Sequence, residues 1–321
     1  SKMRSAGCSY ALMEVSSHAL DQDRVGGIDF AAAIFTNLTQ DHLDYHGTME
    51  HYFGCKAKLF LGLSEDSCAV LNRDDAWVKK LIPMLRAKIR TIGFCEEADL
   101  RASNMESTID RTSFDLEFKG KTLRVDLPLV GTHNVYNSLG ALAAFHALGF
   151  SIEEGAVFLR GFPGVPGRLE PLREGQDFTV LVDFAHTPDG LENVLRSLRG
   201  HRPGRLILVF GCGGERDRTK RPQMASIAAR YADMVYVTSD NSRSEDPKAI
   251  AEEIRAGFPA DFKDFLLVPD RRKAIRQALL GARSGDIVLL AGKGHERSQI
   301  IGSQILPFSD REEAQRVLRG R

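Results

Sequence analysis

The sequence predicts an α/β protein of two domains, the second built on a mostly parallel sheet. Three observations carry this reading. After a break near residue 167, the apolar runs TVLVDF, RLILVFG, MVYVTSD, DFLLVPD and DIVLLAG alternate with amphipathic segments. Such alternation implies parallel strands covered by helices on both faces. The break itself, GFPGVPG at 161–167, places three glycines and two prolines in seven residues, and the organisation changes after it. The length, 321 residues, suits two domains that each bury a core. The division is expected between residues 163 and 164.

The elements follow in order. SKMRSAGCSYALMEV reads as the end of a helix entering a strand at 11–15, and a domain opening in mid-element reads as cut. IDFAAAIFTNL is a short buried strand. CAVLN, at 68–72, is another, and it precedes a helix expected near 75–88. TSFDLEFKGKTLRVDLPL alternates in character around Lys119 and Gly120, which predicts an antiparallel hairpin. GTHNVYNSLGALAAFHALG reads as a loop entering a buried helix, because its small apolar residues recur at helical spacing. Beyond the break, helices are expected to start near Pro188, Pro222, Pro247 and Arg271, three of them with proline in the first turn.

Composition narrows the function classes. Apolar residues make up 43%, and 43 basic residues balance 43 acidic ones with no basic stripe, which argues against nucleic acid as a partner. No apolar run approaches membrane-spanning length and no basic-then-apolar leader opens the chain, so no membrane insertion is expected. Five scattered cysteines without a CxxC pair suit a reducing cytoplasm, with Cys55 and Cys212 as small packing residues.

Polar chemistry concentrates in two places. The stretch 13–58 threads Glu14, Ser16, Ser17, His18, Asp41, His42, Asp44, His46 and Lys56 around one apolar strand. These groups are costly to bury unless paired or ligated, and they suit phosphate and divalent-metal chemistry. His42 and His46, four residues apart, also suggest zinc, but no HExxH pattern is present and magnesium prefers oxygen. The second place is the set of strand ends VDFAHTPDG, FGCGGERDRTKRP, SDNSRSEDP and AGKGHE. In an open α/β sheet, ligands bind beyond the carboxyl ends of the strands, so four such clusters point to one shared site. GCGGER lacks the third glycine of a dinucleotide fingerprint, and the chain holds no GxxxxGK[ST] phosphate loop.

In this order, MEVSSHAL, FTNLTQDHLDYHG, YFGCKAKLF, GTHNVYN, PGRLEP, VDFAHTPDGLENVL, FGCGGERDRTKRP, DNSR and GKGHE closely resemble the Mur ligases of the MurE type, over essentially the whole chain. The resemblance implies, over 1–163, a central ATP-binding domain lacking its N-terminal part and phosphate loop: a P-loop-type α/β sheet plus a small antiparallel sheet. Over 164–321 it implies a C-terminal Rossmann-like α/β domain that binds the incoming amino acid. The implied activity uses ATP and Mg2+ to add meso-diaminopimelate to UDP-N-acetylmuramoyl-L-alanyl-D-glutamate, through an acyl phosphate, in peptidoglycan synthesis. The implied protein is a cytoplasmic monomer.

The resemblance also implies roles. Glu14, His42 and a carbamylated Lys56 hold magnesium. Ser16, Gln22 and Arg24 contact the UDP-muramoyl peptide. Asn137, Arg168 and Asp183 contact ATP across the domain boundary. Arg216, Asp240, Asn241, Ser242, Arg243, Gly292 and Glu296 bind diaminopimelate. Plainer readings exist: Ser16 as a turn cap, Asn137 as holder of its own loop, Asp183 as cap of the following helix, Lys56 as a surface lysine. The amino-acid pocket has independent physical support. Diaminopimelate carries a second amino-acid head, which calls for an arginine to fork its carboxylate and an acid for its ammonium, and Arg243 and Glu296 supply one of each.

Two departures stand out. The family pattern is DNPR, and Ser242 here replaces a proline that would stiffen the loop. The absent phosphate loop predicts negligible ligase activity for the chain alone. Alternatives are a lysine-adding ligase, a non-catalytic amino-acid-binding module, and a folylpolyglutamate synthetase-like enzyme.

Overall fold

A computed structural model describes residues 2–320. Its helices are α1 (Lys2–Ser5), α2 (Ser17–Asp21), α3 (Leu43–His46), α4 (Met49–Leu61), α5 (Val78–Leu81), α6 (Thr132–Ala147), α7 (Ile152–Arg160), α8 (Pro188–Gly200), α9 (Lys220–Tyr231), α10 (Pro247–Arg255), α11 (Arg271–Gly281) and α12 (Asp310–Arg319). Its strands are β1 (Ala32–Phe35), β2 (Cys68–Asn72), β3 (Lys88–Gly93), β4 (Leu100–Ser107), β5 (Thr112–Phe118), β6 (Lys121–Leu127), β7 (Glu170–Leu172), β8 (Thr179–Asp183), β9 (Leu206–Phe210), β10 (Met234–Val237), β11 (Phe265–Leu267), β12 (Ile287–Ala291), β13 (Ser298–Ile301) and β14 (Gln304–Pro307).

The first sheet runs β1-β2-β3-β4-β5-β6. Its first four strands are parallel, and β4, β5 and β6 form an antiparallel meander. Along β2, Ala69 and Leu71 join the core under α4, while Cys68 and Val70 join the core under α6. That two-sided burial is why CAVLN is apolar throughout. On α6, Gly140 lets the helix lie close to the sheet, since a Cβ there would stand 3.1 Å from Ile34 Cγ2.

The second sheet runs β11-β10-β9-β12-β8-β7, parallel except for β7 at its edge. Leu206, Leu208 and Phe210 of β9 pack with Leu191, Leu195 and Leu198 of α8, whereas Ile207 and Val209 face Ala274, Ile275 and Leu279 of α11. Strands β8, β9, β10 and β12 are adjacent and parallel, so the four polar strand ends emerge along a single rim.

Two expectations about elements need correction. Residues 11–15 form no strand. Residues 11–14 are exposed, with Leu12 94% accessible, and no strand lies beside them among the described residues to give their backbone a ladder. The helix expected over 75–88 shrinks to α5 and one 3-10 turn, Ile82–Met84, which contains Pro83. A proline there cannot donate to a continuing helix. Lys88 instead opens β3, a strand the sequence reading passed over together with β4.

Candidate functional site

The 13–58 cluster is built on the turn into α3 and on α4. His42 adopts a left-handed φ of 55°, an uncommon conformation away from glycine, and its N–H donates to Asp41 Oδ1 at 2.8 Å. That turn sets the His42 ring against Asp41, with Nε2 3.4 Å from Oδ2. Asp41 also meets His186 from the loop after β8, at 3.7 Å. Burial alone would raise the Asp41 carboxyl, but the hydrogen bond from His186 and the charges of His42 and Lys220 outweigh it and hold it well below the usual carboxylate range.

Lys56 projects from α4 with Nζ 5.3 Å from the centroid of the Tyr52 ring. Burial pushes its amine below the ordinary lysine range, against the opposing pull of Asp41 and Glu14. Thus Glu14, Asp41, His42 and Lys56 share one electrostatic neighbourhood. The His42 imidazole is likewise pushed down by burial, which Asp41 only partly offsets, so its lone pair stays available.

The depressed Lys56 has a stability consequence. Below its folded pKa both states carry the proton, and the folded state bears the whole cost of burying the charge. Between the folded pKa and the ordinary lysine value of 10.5 the unfolded chain binds more protons, so stability rises with pH through that window. Lys56→Met is therefore expected to be more stable than the parent at pH 7 in magnesium-free, carbon-dioxide-free buffer. Urea titrations at a series of pH values should show the gap narrowing as pH approaches 10.5.

The three residues expected at the UDP-muramoyl peptide lie together around α2. Ser16 is its N-cap, accepting from Ala19 N–H at 3.1 Å. Gln22 is its C-cap and donates to Tyr45 Oη at 3.3 Å, and Arg24 is exposed just beyond. Ser16 thus has the plain capping role that the sequence also allowed.

The three residues expected at ATP divide differently. Asn137 donates to Asn134 Oδ1 at 3.3 Å, within its own helix. The Arg168 guanidinium lies 4.8 Å from the Phe184 ring centroid. Asp183 is buried and accepts from Leu169 N–H and Ala185 N–H, both at 2.7 Å. Burial raises its carboxyl while those two bonds and Arg168 pull it back. Asp183 does not cap α8, because Thr187 does so by accepting from Gly190 N–H. Its role is to tie β8 to the segment following 161–167. A cavity of about 350 Å³ opens where α6 meets α8, lined by Gly131, His133, Arg196, Ser197 and His201 among others. None of the candidate site residues lines it, although Gly131, Thr132, His133 and Asn193 of the motifs GTHNVYN and VDFAHTPDGLENVL do.

Along the rim of the second sheet the strand ends interlock. Asn241 Nδ2 donates to Glu296 Oε2 at 2.9 Å, and the fully buried Lys293 donates to the same oxygen at 2.6 Å and to Asn241 Oδ1 at 3.2 Å. Lys293 also lies 3.9 Å from Asp240. Arg243, at φ 51°, donates from Nη1 to Gly214 O at 2.7 Å, spanning from the loop after β10 to the loop after β9. Gly292 has φ 109°, and a Cβ there would stand 3.0 Å from Asp240 Oδ2. Arg216 is exposed and donates to its neighbour Glu215 O at 2.9 Å. Asp240, Asn241, Arg243, Gly292 and Glu296 are therefore one assembly, with Arg216 on its outer side.

Ser242 sits inside this assembly, fully buried, and its hydroxyl has no partner. An unpaired buried hydroxyl costs about 1–3 kcal/mol. Ser242→Ala is expected to raise stability by about 1 kcal/mol, measured by urea unfolding.

Sequence reasoning left three structural keystones without roles. Asp41 gathers His42, Lys56 and His186. Lys293 is the buried cation of the rim. Arg221, also fully buried, binds Glu245 at 2.9 Å, Glu253 at 2.8 Å and Gly213 O at 3.2 Å, joining the loop after β9 to α10 and its approach. The available signal was the density of charge in GCGGERDRTKRP, more than a solvated loop needs. The two clusters also meet: Gln40 donates to Asp217 Oδ2 at 3.0 Å and to Thr219 Oγ1 at 3.1 Å.

Two α/β domains bring these loops together, and comparison with known proteins shows the chain to belong to the Mur ligase family. Residues 1–145 match the Mur ligase middle domain, and residues 167–294 match the Mur ligase glutamate ligase domain. The chain is 51% identical over 319 residues to the UDP-N-acetylmuramoyl-L-alanyl-D-glutamate–2,6-diaminopimelate ligase of Thermosynechococcus vestitus, covering 98% of this chain and 64% of that protein. It is 47% identical over 326 residues to the ligase of the same name from Geobacillus thermodenitrificans, covering 100% of this chain and 67% of that one. A solved structure of a ligase so named superimposes with a TM-score of 0.64 at 37% identity, covering 98% and 66%. The chain therefore spans about two thirds of the length of these relatives.

Proposed function

We propose that this chain supplies the metal-organising and amine-binding parts of an ATP-dependent ligase that adds meso-diaminopimelate to UDP-N-acetylmuramoyl-L-alanyl-D-glutamate, in cytoplasmic peptidoglycan precursor synthesis. The observation that carries it is the single rim on which Asp240, Asn241, Arg243, Gly292 and Glu296 meet. Both protein bonds to Glu296 fall on Oε2, leaving Oε1 for the ammonium of an amino-acid head. Arg243 uses Nη1 on backbone carbonyls, leaving Nη2 to meet a carboxylate. The relatives named for 2,6-diaminopimelate favour that amine over lysine. We place the division between the two domains within 161–167, between the residue ranges of the two family matches.

At the 13–58 cluster, the donor set fits magnesium. Glu14 offers an exposed carboxylate, His42 a neutral imidazole, and Lys56 an amine biased toward the neutral form that captures carbon dioxide as a carbamate. Magnesium, when bound, would neutralise charge on the transferred phosphoryl group. Asp41 orients His42 and lowers the cost of positive charge near Lys56, while Asn137, Arg168 and Asp183 are assigned to the nucleotide. Ser16, Gln22 and Arg24, grouped at α2, are assigned to the UDP-muramoyl peptide, and Arg216 to the outer edge of the amino-acid pocket.

Equilibrium dialysis with labelled meso-diaminopimelate, competed by L-lysine and L-glutamate, tests the reading. Little displacement by either competitor at equal concentration is the expected result. Stronger displacement by lysine would shift the assignment to a lysine-adding enzyme, and by glutamate to a folylpolyglutamate synthetase-like one.

A further inference from the structure

We propose that His46, His51 and Cys55 form a binding site for a soft transition-metal cation, best fitted by Zn2+, at the α3–α4 junction and separate from Glu14, His42 and Lys56. One nitrogen of each histidine and the Cys55 sulfur lie within 4.8 Å of one another. His51 and Cys55 are four residues apart on α4 and so share a face, with His51 Nε2 3.8 Å from Cys55 Sγ. His46 is brought to them by the tight turn at Gly47, φ 72°, and Thr48, which caps α4.

An independent observation points to a ligand. His46 is 5% exposed, its Nε2 is engaged by Ser17 Oγ at 2.8 Å, and its Nδ1 is buried without a partner. Buried polar atoms are rarely left unpaired, and a metal would satisfy this one. Ser17 is then the outer partner that fixes the ring, as a metal-bound imidazole requires. The Tyr52 ring stacks on His46 at 4.9 Å and holds the plane from the other side.

The chemistry of the donors selects the ion. Two imidazoles and a thiolate suit zinc and exclude magnesium, which takes oxygen. Tetrahedral zinc with bonds of about 2.0–2.3 Å needs ligand–ligand edges of roughly 3.3–3.6 Å. The His51–Cys55 edge is close to that, and the exposed His51 is free to close the remainder. Without metal, Cys55 is a thiol that donates to Asp21 Oδ1 at 3.4 Å. On binding, the S–H bond breaks as the sulfur–metal bond forms, and the proton passes to solvent beside Asp21. Water completes the fourth position.

Cobalt(II) is the spectroscopic probe, used on the whole chain in excess magnesium. The expected result is a thiolate-to-cobalt charge-transfer band that saturates at one equivalent and is bleached by Zn2+. Cys55→Ser should abolish the band, and His51→Ala should weaken Zn2+ binding at least tenfold. Cys8→Ser, at an exposed thiol, should change neither. His51 is exposed, so its truncation spares the core, and circular dichroism checks that each variant is folded. Absence of a stoichiometric band in the parent, its survival in Cys55→Ser, or unchanged Zn2+ affinity in His51→Ala overturns the proposal.

Discussion

Arg271→Met is expected to cost about 3–5 kcal/mol of stability, because it strands Asp310 as an unpaired charge inside the second domain. Both side chains are fully buried. Arg271 donates to the two Asp310 oxygens at 2.7 and 2.6 Å and to Ala291 O at 2.8 Å. Its Nη1 has no partner, so the native pair already carries an unpaid polar atom. Replacing both residues, Arg271→Met with Asp310→Leu, should recover most of the loss, since well-packed apolar groups can match a buried ion pair. Urea unfolding of the two variants separates these cases. A single variant as stable as the parent would mean that Asp310 finds water or another cation. Ala291 ends β12 just before Gly292, so the single variant should also loosen the rim.

Gly167→Ala is the second large effect, expected at roughly 3 kcal/mol. Gly167 has φ 71°, and a Cβ there would stand 2.2 Å from His295 N and 2.4 Å from Gly294 C. Left-handed backbone costs a non-glycine residue about 1–2 kcal/mol, and forcing atoms into packed surroundings costs about 1–3 more. Gly164→Ala is the control. Its φ is 85°, but the nearest atom to a new Cβ is Leu129 Cδ2 at an ordinary 3.5 Å, so only the backbone cost of about 1 kcal/mol applies. If the two variants lose equal stability, the close packing of residues 161–167 against the loop after β12 is not what fixes Gly167. Unequal loss, with weaker meso-diaminopimelate binding in Gly167→Ala, ties this connecting segment to the pocket.

The reach of the sequence was set by where residues find their partners. Strands β8, β9, β10 and β12 of the second sheet were legible because both faces are covered, which makes runs such as LILVF and IVLLA apolar without interruption; the edge strand β7, EPL, shows no such run. β3 and β4 escape the sequence pattern because KIRTIG and LRASNMES mix charged and polar residues with apolar ones. The segment 11–15 has strand-like composition but no neighbour, and composition alone cannot provide a ladder. The glycine- and charge-rich motifs fall at the strand ends that meet along the rim. The importance of Asp41, Lys293 and Arg221 depends instead on contacts between loops far apart in sequence: Asp41 with His186, Lys293 with Asn241, Arg221 with Glu245. Asp183 was assigned from its motif, while its tie to Leu169 is a tertiary fact.

The central claim is that Arg243 reads the distal carboxylate of the incoming amino acid. It is tested most directly by a four-cornered calorimetric cycle of meso-diaminopimelate and L-lysine against the parent and Arg243→Ala. Lysine lacks only that carboxylate, so any preference that depends on it should vanish with the guanidinium. A charge-assisted bond of about 1.5–3 kcal/mol predicts that the parent prefers meso-diaminopimelate by roughly ten- to a hundredfold, and that the variant binds both ligands about equally. A preference of the same size in the variant would contradict the account.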